Sequence, residues 1–399
     1  MESIKEIFKI GKGPSSSHTM GPNKAALLFK TIFPDSDKIE VTLYGSLAAT
    51  GRGHLTDIAI FEGFAPKETV IDWQPSVFLP FHPNAMKFVA FKKGLKIGEK
   101  IYFSIGGGSI IEENQEFETQ KVYQHTRMSD ILSWCDKQGI TFWEYVGIHE
   151  SNDIWESLTN IWNEMKQTVI RGLENEGVLP GILKLPRKAA SFYSKASAFK
   201  DDLQKKSLVY AYALAVSEEN ASGGRVVTAP TCGACGVLPA VLYALQQFNQ
   251  LSDKKIVRAL ANAGLIGNLV KYNASISGAD VGCQGEVGTA CAMASAAATQ
   301  LIGGTNFQIE YAAETGMEHH LGLTCDPLFG LVQIPCIERN AFGAARALDC
   351  STFAIMGDGK HRISFDRVVD TMKRTGHDLP KIYKETSEGG LALWDNEVE

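Results

Sequence analysis

Cys283, Cys325 and Cys336 stand in Gly-Cys-Gln-Gly-Glu (282–286), Leu-Thr-Cys-Asp-Pro (323–327) and Ile-Pro-Cys-Ile-Glu-Arg-Asn (334–340). Three thiolates from three segments are one ligand short of a closed four-ligand iron–sulfur or zinc site. A metal held in this way keeps an open position and can act on a substrate as a Lewis acid. No two of these cysteines form a Cys-x-x-Cys pair, so the context carries the reading. Gly282 and Gly285 let the backbone approach a bulky group, and Pro327 and Pro335 stiffen the other two loops. The competing reading is three buried free thiols, because unpaired cysteine is among the most buried residue types.

The one Cys-x-x-Cys pair is Cys232 and Cys235, in Pro-Thr-Cys-Gly-Ala-Cys-Gly (230–236). It precedes a helix, where a thiol pKa can be lowered, so it could be a redox pair or add metal ligands. Alternatively it is a Gly-rich helix start whose backbone N–H groups matter and whose thiols are incidental. The second alternative is favoured.

Two Gly-flanked polar loops add proton-transfer chemistry. Gly13-Pro14-Ser15-Ser16-Ser17-His18-Thr19 presents a run of hydroxyls and an imidazole just before a helix, more than capping needs. Gly51-Arg52-Gly53-His54-Leu55-Thr56-Asp57 places a carboxylate three residues after a histidine, where it could orient the ring. The two loops are expected to face one pocket. His18 and His54 are the candidates for proton transfer, with Ser17 and Thr19 beside them, and the sequence leaves open which histidine does it. Ser15, Ser16, Asp57, Asn273, Ser275 and Ser277 are the candidates for substrate contacts, the last three from Asn-Ala-Ser-Ile-Ser (273–277) shortly before Cys283. Glu318-His319-His320 could lie beside or on a metal. Gly106-Gly107-Gly108-Ser109 invites a phosphate-cradle reading, pyridoxal phosphate included. No lysine stands in a Schiff-base context, so a plain turn is expected.

These loops need a scaffold. Lys38–Tyr44 alternates as a strand does, and Lys87–Lys92 and Lys100–Ser104 read as strands flanking a turn at Gly94–Gly98. Met20–Phe33 reads as a helix with Pro22 near its start. A Glu- and Gln-rich stretch, Glu112–Gln124, breaks the pattern. Helices are predicted over Arg127–Gln138, Ile154–Glu174, Asp201–Asn220, Gly236–Asn249, Asp253–Tyr272, with Asp253 as N-cap, Gln284–Leu301 and Glu338–Leu348. The fold class is therefore α+β: an N-terminal α/β domain over 1–150 and a mostly all-helical domain over 151–399, with the boundary loosely within 140–185. Helices form the scaffold and their Gly- and Pro-rich joints hold the unusual residues.

Composition agrees with a globular enzyme. The chain has 399 residues, 44% hydrophobic and 21% charged, with a net charge of −6, which excludes the basic footprint of a nucleic-acid binder. Val287–Gly303 is apolar but built of small residues, so a closely packed buried helix is expected rather than a membrane span. Met1–Ile10 carries no apolar leader core, so no secretion signal is expected. The eight cysteines are then expected to be reduced, in the cytoplasm. Cys135 and Cys350 read as ordinary core or surface thiols, and Cys291, within the small-residue helix, as packing.

At these residues the sequence resembles the iron–sulfur L-serine dehydratases (L-serine ammonia-lyases), nearly end to end, with the β-type and α-type regions joined in one chain. The motifs are Gly-Pro-Ser-Ser-Ser-His-Thr-Met-Gly-Pro (13–22), Gly-His-Leu-Thr-Asp (53–57), Ala-Pro-Thr-Cys-Gly-Ala-Cys-Gly-Val-Leu-Pro-Ala-Val (229–241), Asn-Ala-Ser-Ile-Ser-Gly-Ala-Asp-Val-Gly-Cys-Gln-Gly-Glu-Val-Gly (273–288), Leu-Gly-Leu-Thr-Cys-Asp-Pro (321–327) and Gln-Ile-Pro-Cys-Ile-Glu-Arg-Asn (333–340). The resemblance implies an oxygen-sensitive [4Fe–4S] cluster on Cys283, Cys325 and Cys336, with one iron free to bind substrate. It implies a helical catalytic domain and an N-terminal domain similar to the allosteric substrate-binding domain of some phosphoglycerate dehydrogenases. It also implies deamination of L-serine to pyruvate and ammonia, in amino-acid catabolism that feeds gluconeogenesis. A homodimer with no nucleic-acid or membrane partner is expected. The alternatives are a related lyase acting on L-threonine or L-cysteine, and a non-catalytic amino-acid sensor. One departure stands out: family members often end in a cysteine that folds back onto the open iron, whereas the last cysteine here is Cys350. A tail-cysteine plug is not expected.

Overall fold

The computed structural model describes residues 1–113 and 121–396; part of the Glu112–Gln124 stretch and the last three residues lie outside the described residues. A short strand β1 (Ile10–Lys12) leads through a π-helical turn at Ser16–Met20 into helix α1 (Gly21–Ile32). Strand β2 (Lys38–Tyr44), helices α2 (Gly45–Ala49) and α3 (Thr56–Phe64), and strands β3 (Glu68–Gln74), β4 (Asn84–Lys92), β5 (Leu95–Ser104) and β6 (Ile110–Glu112) follow. The five-stranded sheet has the order β3-β2-β4-β5-β6, with β2 and β3 parallel and every other pair antiparallel. Alternation along β2 turns Ile39, Val41 and Leu43 inward. They meet Ala25, Ala26 and Phe29 of α1 and Phe64 of α3 in one core, where the Phe29, Phe64 and Phe88 rings pack edge to face.

The turn predicted at Gly94–Gly98 is tighter than expected. It lies at Lys93–Gly94, and β5 already runs from Leu95. Gly98 is inside the strand because the Phe33 ring occupies the place of a Cβ, 2.3 Å from its ideal position.

The remainder is helical: α4 (Met128–Gln138), α5 (Phe142–His149), α6 (Ile154–Glu174), α7 (Ala189–Ala196), α8 (Asp201–Ala221), then strand β7 (Arg225–Val227), α9 (Val237–Asn249), α10 (Asp253–Asn273), α11 (Gly278–Val281), α12 (Thr289–Leu301), α13 (Asn306–Glu318), α14 (Cys336–Met356) and α15 (Phe365–Asp378). The architecture is thus a sheet-containing region followed by a helical one, as the α+β class requires. The small-residue helix α12 is buried along its length and touches α9, α10, α13 and α14. Its alanines let four helices approach one axis closely. No described helix is long and apolar enough to cross a membrane.

Two predicted elements differ in detail. Asp253 is the first residue of α10, with Ser252 at the N-cap position. Its carboxylate instead accepts from Trp162, Lys166 and Gln246, tying α6 and α9 to α10. Helix α14 runs a further two turns past Leu348 because the polar run there is satisfied within the fold. Ser351 pairs with Thr299 at 3.0 Å, and Thr352 donates to the Leu348 carbonyl.

Among the described residues, most buried apolar side chains fall into two cores. One lies between Ala25 and Tyr102. The other joins Met1–Phe8 to residues from Tyr123 onward, including Met128, Ile131, Phe142 and Tyr145. The antiparallel pair β1–β7 fastens the N-terminal segment to the helices.

Candidate metal centre and adjoining histidine pair

Cys283 is carried at the entry to α12, on a π-helical turn (Gln284–Gly288). Gly282 before it has φ +77°, and a Cβ there would meet the Leu323 carbonyl at 2.7 Å. Only glycine permits this approach of the two cysteine-bearing segments. Fully buried Gln284 staples them: its N–H donates to the Leu323 carbonyl, its amide oxygen accepts from Gly322 and Thr375, and its amide nitrogen donates to Val281. Cys325 is held by the C-terminal segment, donating to the Tyr383 carbonyl and accepting from the Glu385 N–H, both at 2.8 Å. Cys336 opens α14 directly after Pro335.

The Cys283 and Cys325 sulfurs and a Glu286 carboxylate oxygen lie within 4.8 Å of one another. Arg339, one turn into α14, donates to the Thr324 carbonyl at 2.7 Å and pairs with Asp326. Its guanidinium also faces Cys283 and Cys336. The Cys325 thiol hydrogen-bonds Cys283, and with Arg339 this brings the Cys283 thiol down to about 6 against the cost of burial. The same hydrogen bond pushes Cys325 up, and burial pushes Cys336 up. Burial, and then the negative charge on Cys283, raises Glu286 to about 8.

The donor set fits a thiolate-bound metal. The Cys283 and Cys325 sulfurs converge from two segments without a disulfide, and Cys336, on a third, is near enough for the Cys283 charge to act on it. Among the described residues, Ser277 Oγ and Glu385 Oε2 are buried without hydrogen-bond partners. Gly278 lies so close to Cys325 that a Cβ would sit 3.0 Å from its sulfur. A bound cation would draw the protons from Cys325 and Cys336.

The two polar loops do meet in the fold. The His18 and His54 rings meet edge to face at 4.5 Å, both fully buried. Thr56 Oγ1 donates to the His18 carbonyl and Thr19 Oγ1 to the His54 carbonyl, so each loop holds the other's histidine. Hydrogen bonds set the tautomers. The Ser46 hydroxyl donates to the Glu385 carbonyl at 2.9 Å, so its oxygen accepts from His18 Nε2–H at 3.2 Å. His18 Nδ1 then accepts from Ser17 at 2.9 Å. The Thr50 hydroxyl donates to the Ser46 carbonyl, so it accepts from His54 Nδ1–H at 3.2 Å. This leaves the lone pair of His54 on Nε2, which faces Glu385 Oε1 at 4.0 Å. Burial lowers His18 to about 3 and drives His54 well below its ordinary value. Both rings are neutral, and the 3.5 Å contact of His18 with Glu385 is not an ion pair.

The other sequence-derived candidates divide. The Ser15 hydroxyl accepts from His18 N–H as the cap of the π-turn, and Ser16 and Ser17 are buried beside it. Asp57 does not orient His54. Its carboxylate accepts from Ile58 N–H in the first turn of α3, because the histidine precedes the helix and its ring turns the other way. The Asn273 amide donates to the Thr126 and Leu269 carbonyls, and Ser275 accepts from Ser277 N–H. Ser277 itself is buried with a free hydroxyl. His319 and His320 bond backbone carbonyls of α13. Gly106–Gly108 form a turn, closed by Ser109 N–H on the Gly106 carbonyl. The Cys-x-x-Cys thiols are not lowered: burial pushes both up. Its backbone is what the fold uses, with Asn340 bonding Gly233 and Gly236.

Three residues of this locus were not singled out from the sequence: Glu286, Arg339 and Glu385. The first two lay within the cysteine motifs, so proximity was a usable signal. Glu385 lay outside every motif read from the sequence.

Comparison with known proteins decides the family. The model of the serine dehydratase alpha chain matches residues 92–392, and that of the beta chain matches 3–70 and 64–115. The chain belongs to the serine dehydratase family. Both parts are fused in one polypeptide. It is 41% identical to L-serine dehydratase TdcG of Escherichia coli strain K12, over 98% of this chain and 99% of that one. The L-serine dehydratase of Streptomyces coelicolor is likewise 41% identical, and that of Helicobacter pylori strain J99 40%, each over 98% of both chains. The alignment to the first spans 449 positions against 399 here, so that relative carries internal residues this serine dehydratase chain lacks.

Proposed function

We propose that this chain is an L-serine ammonia-lyase that forms pyruvate and ammonia, with a [4Fe–4S] cluster held by Cys283, Cys325 and Cys336. The observation that carries the reading is the close approach of Cys283, driven to the thiolate, and Cys325 beside a neutral histidine pair, with Glu385 between them and Cys336 near enough for the Cys283 charge to act on it. The near full-length relatives named L-serine dehydratase supply the substrate. Bound there, the cluster would offer an open iron to polarise the β-hydroxyl, a poor leaving group, as a Lewis acid.

The protein's own groups supply the rest. His54 is the proposed acceptor of the α-proton: its Nε2 lone pair is free, and burial keeps the ring neutral down to acid pH. His18 is a positioning residue, since both of its ring nitrogens are engaged. Thr19 sets the His54 backbone, and Ser17 sets the His18 ring. Ser15, Ser16 and Ser277 are proposed to meet the substrate carboxylate, Ser277 with its unpartnered hydroxyl foremost. Asp57, Asn273 and Ser275 serve the loops that carry the site. Loss of the α-proton and the β-hydroxyl leaves 2-aminoacrylate, which tautomerises and hydrolyses to pyruvate and ammonia.

The reading extends to a two-domain chain, the sheet-containing part regulating or closing over the helical part, and to a cytoplasmic homodimer. Phe342, Phe353 and Met356 on α14 are 68%, 61% and 83% exposed, which supports a covered face. Anaerobic purification with iron and sulfide analysis, beside pyruvate assays on serine, threonine and cysteine, tests the function. Full activity in iron-free protein would overturn it.

A further inference from the structure

We infer that the Glu385 carboxylate receives the α-ammonium group of the substrate, a specificity residue delivered into the site by the C-terminal segment; the assignment rests on the proposed lyase reading. Four observations carry it. Glu385 is 6% exposed, yet its Oε2 has no hydrogen-bond partner among the described residues. A buried carboxylate oxygen left open is costly unless a ligand completes it. Its Oε1 lies 3.5 Å from His18 Nδ1 and 4.0 Å from His54 Nε2. Its backbone is left-handed, φ +57°, a strained conformation for a residue with a Cβ and one that clusters at functional sites. The strain is held by the N–H bond to the Cys325 carbonyl and by Ser46 on its own carbonyl.

The chemistry then selects it. In an α-amino acid the departing proton and the ammonium share one carbon. The group that takes the proton and the group that binds the ammonium must therefore be neighbours, as His54 and Glu385 are. Glu286, half-buried, faces the sulfur side, against Gly233 and Gly278, and buried Asp326 is paired with Arg339. Arg339, the nearby cation, is committed to Asp326 and the cysteines and would repel an ammonium.

The test uses the iron-loaded, full-length protein and two ligands without a leaving group, L-alanine and L-lactate, which differ only in ammonium against hydroxyl. Dissociation constants come from anaerobic calorimetry. Glu385→Gln is expected to weaken L-alanine about 10-fold or more, the scale of a lost charged hydrogen bond, and to leave L-lactate within about 2-fold. KM for L-serine should rise with the L-alanine constant. If both ligands weaken together, or if neither does, Glu385 is not the ammonium receptor. Should Glu385→Gln fail to load iron, Glu385→Asp gives the same reading: L-alanine weakened about 3-fold with L-lactate unchanged supports the assignment, and equal changes overturn it. Wild-type pyruvate formation from L-serine is measured in parallel. Its absence would sink the lyase reading alone, because calorimetry still decides the ammonium contact.

Discussion

The Cys-x-x-Cys loop before α9 and the three-cysteine locus are bridged by one side chain, Asn340, which bonds Gly233, Gly236 and the Cys336 carbonyl. Their thiols nonetheless meet different fields. Around Cys232 and Cys235, burial has no cation to oppose it, and Cys232 rests on the Met20 sulfur at 3.4 Å. Around Cys283, burial is as deep, but a thiol donor and a guanidinium stand beside the sulfur. Burial alone disfavours a thiolate; the same burial with a hydrogen-bond donor and a guanidinium beside the sulfur favours one, at Cys283 but not at Cys325 or Cys336. Spacing along the chain, the usual signature of a metal or redox cysteine, marks Cys232 and Cys235, whereas the thiol brought down is Cys283.

The largest effect that could break this contrast comes from the cysteines themselves. Cys283→Ser, Cys325→Ser and Cys336→Ser should each lose the cluster, from about four irons per chain to background, and pyruvate formation with it. Iron analysis and enzyme assay check this, and retention of iron in any of the three would remove that residue from the ligand set. Next in size, His54→Ala should keep its iron and lose about 100-fold or more in turnover. His18→Asn should lose about 10-fold, as expected of a residue that positions rather than transfers. Equal losses would reverse the assignment drawn from the tautomers.

Arg339→Met sharpens the contrast directly. In the iron-free protein, Cys283 should lose its thiolate at neutral pH, and its alkylation by iodoacetamide should slow about 10-fold. An unchanged rate would mean that the Cys325 hydrogen bond suffices alone. The histidine side of the site should appear in acid stability. Folded His18 and His54 stay unprotonated below the ordinary histidine value of 6.5, while the unfolded chain takes up those protons. The unfolded state then binds more protons, so stability falls as pH drops below 6.5 toward the folded value of about 3 for His18. The slope is at most about 1.4 kcal/mol per pH unit for each imidazole. Urea unfolding of iron-free protein between pH 7 and pH 5 should show it, with a shallower slope in His54→Gln. Smallest of all, Cys232→Ser and Cys235→Ser should keep full iron and activity within about 2-fold, at a cost in stability of about 1 kcal/mol for a buried hydroxyl. Loss of iron in either would merge the two regions that the structure separates.

Much of this was legible in the residues. β2 and α6 occupy their predicted spans, because alternation and an unbroken amphipathic repeat are local signals. The π-turn before α1 was not legible, since it depends on Ser15 capping His18 and on His18 reaching Ser46 across the fold. The cysteine set and the two histidine loops stood out by residue type. The dismissal of the Cys-x-x-Cys thiols agrees with their raised pKa, whereas the possible lowering at a helix start does not.

The sequence by itself determined the family, the class of chemistry and the loops proposed to carry it, because residue types and local turn chemistry survive without coordinates. Only the tertiary structure decided which histidine keeps a free lone pair, that Arg339 polarises Cys283, that Asp57 serves its helix rather than His54, and that Glu385 enters the site from the far end of the chain. Each of these depends on a contact between segments distant in sequence. His54 and Glu385, Cys283 and Arg339, and Ser46 and the Glu385 carbonyl meet only when the sheet, the helices and the C-terminal segment close around one buried volume.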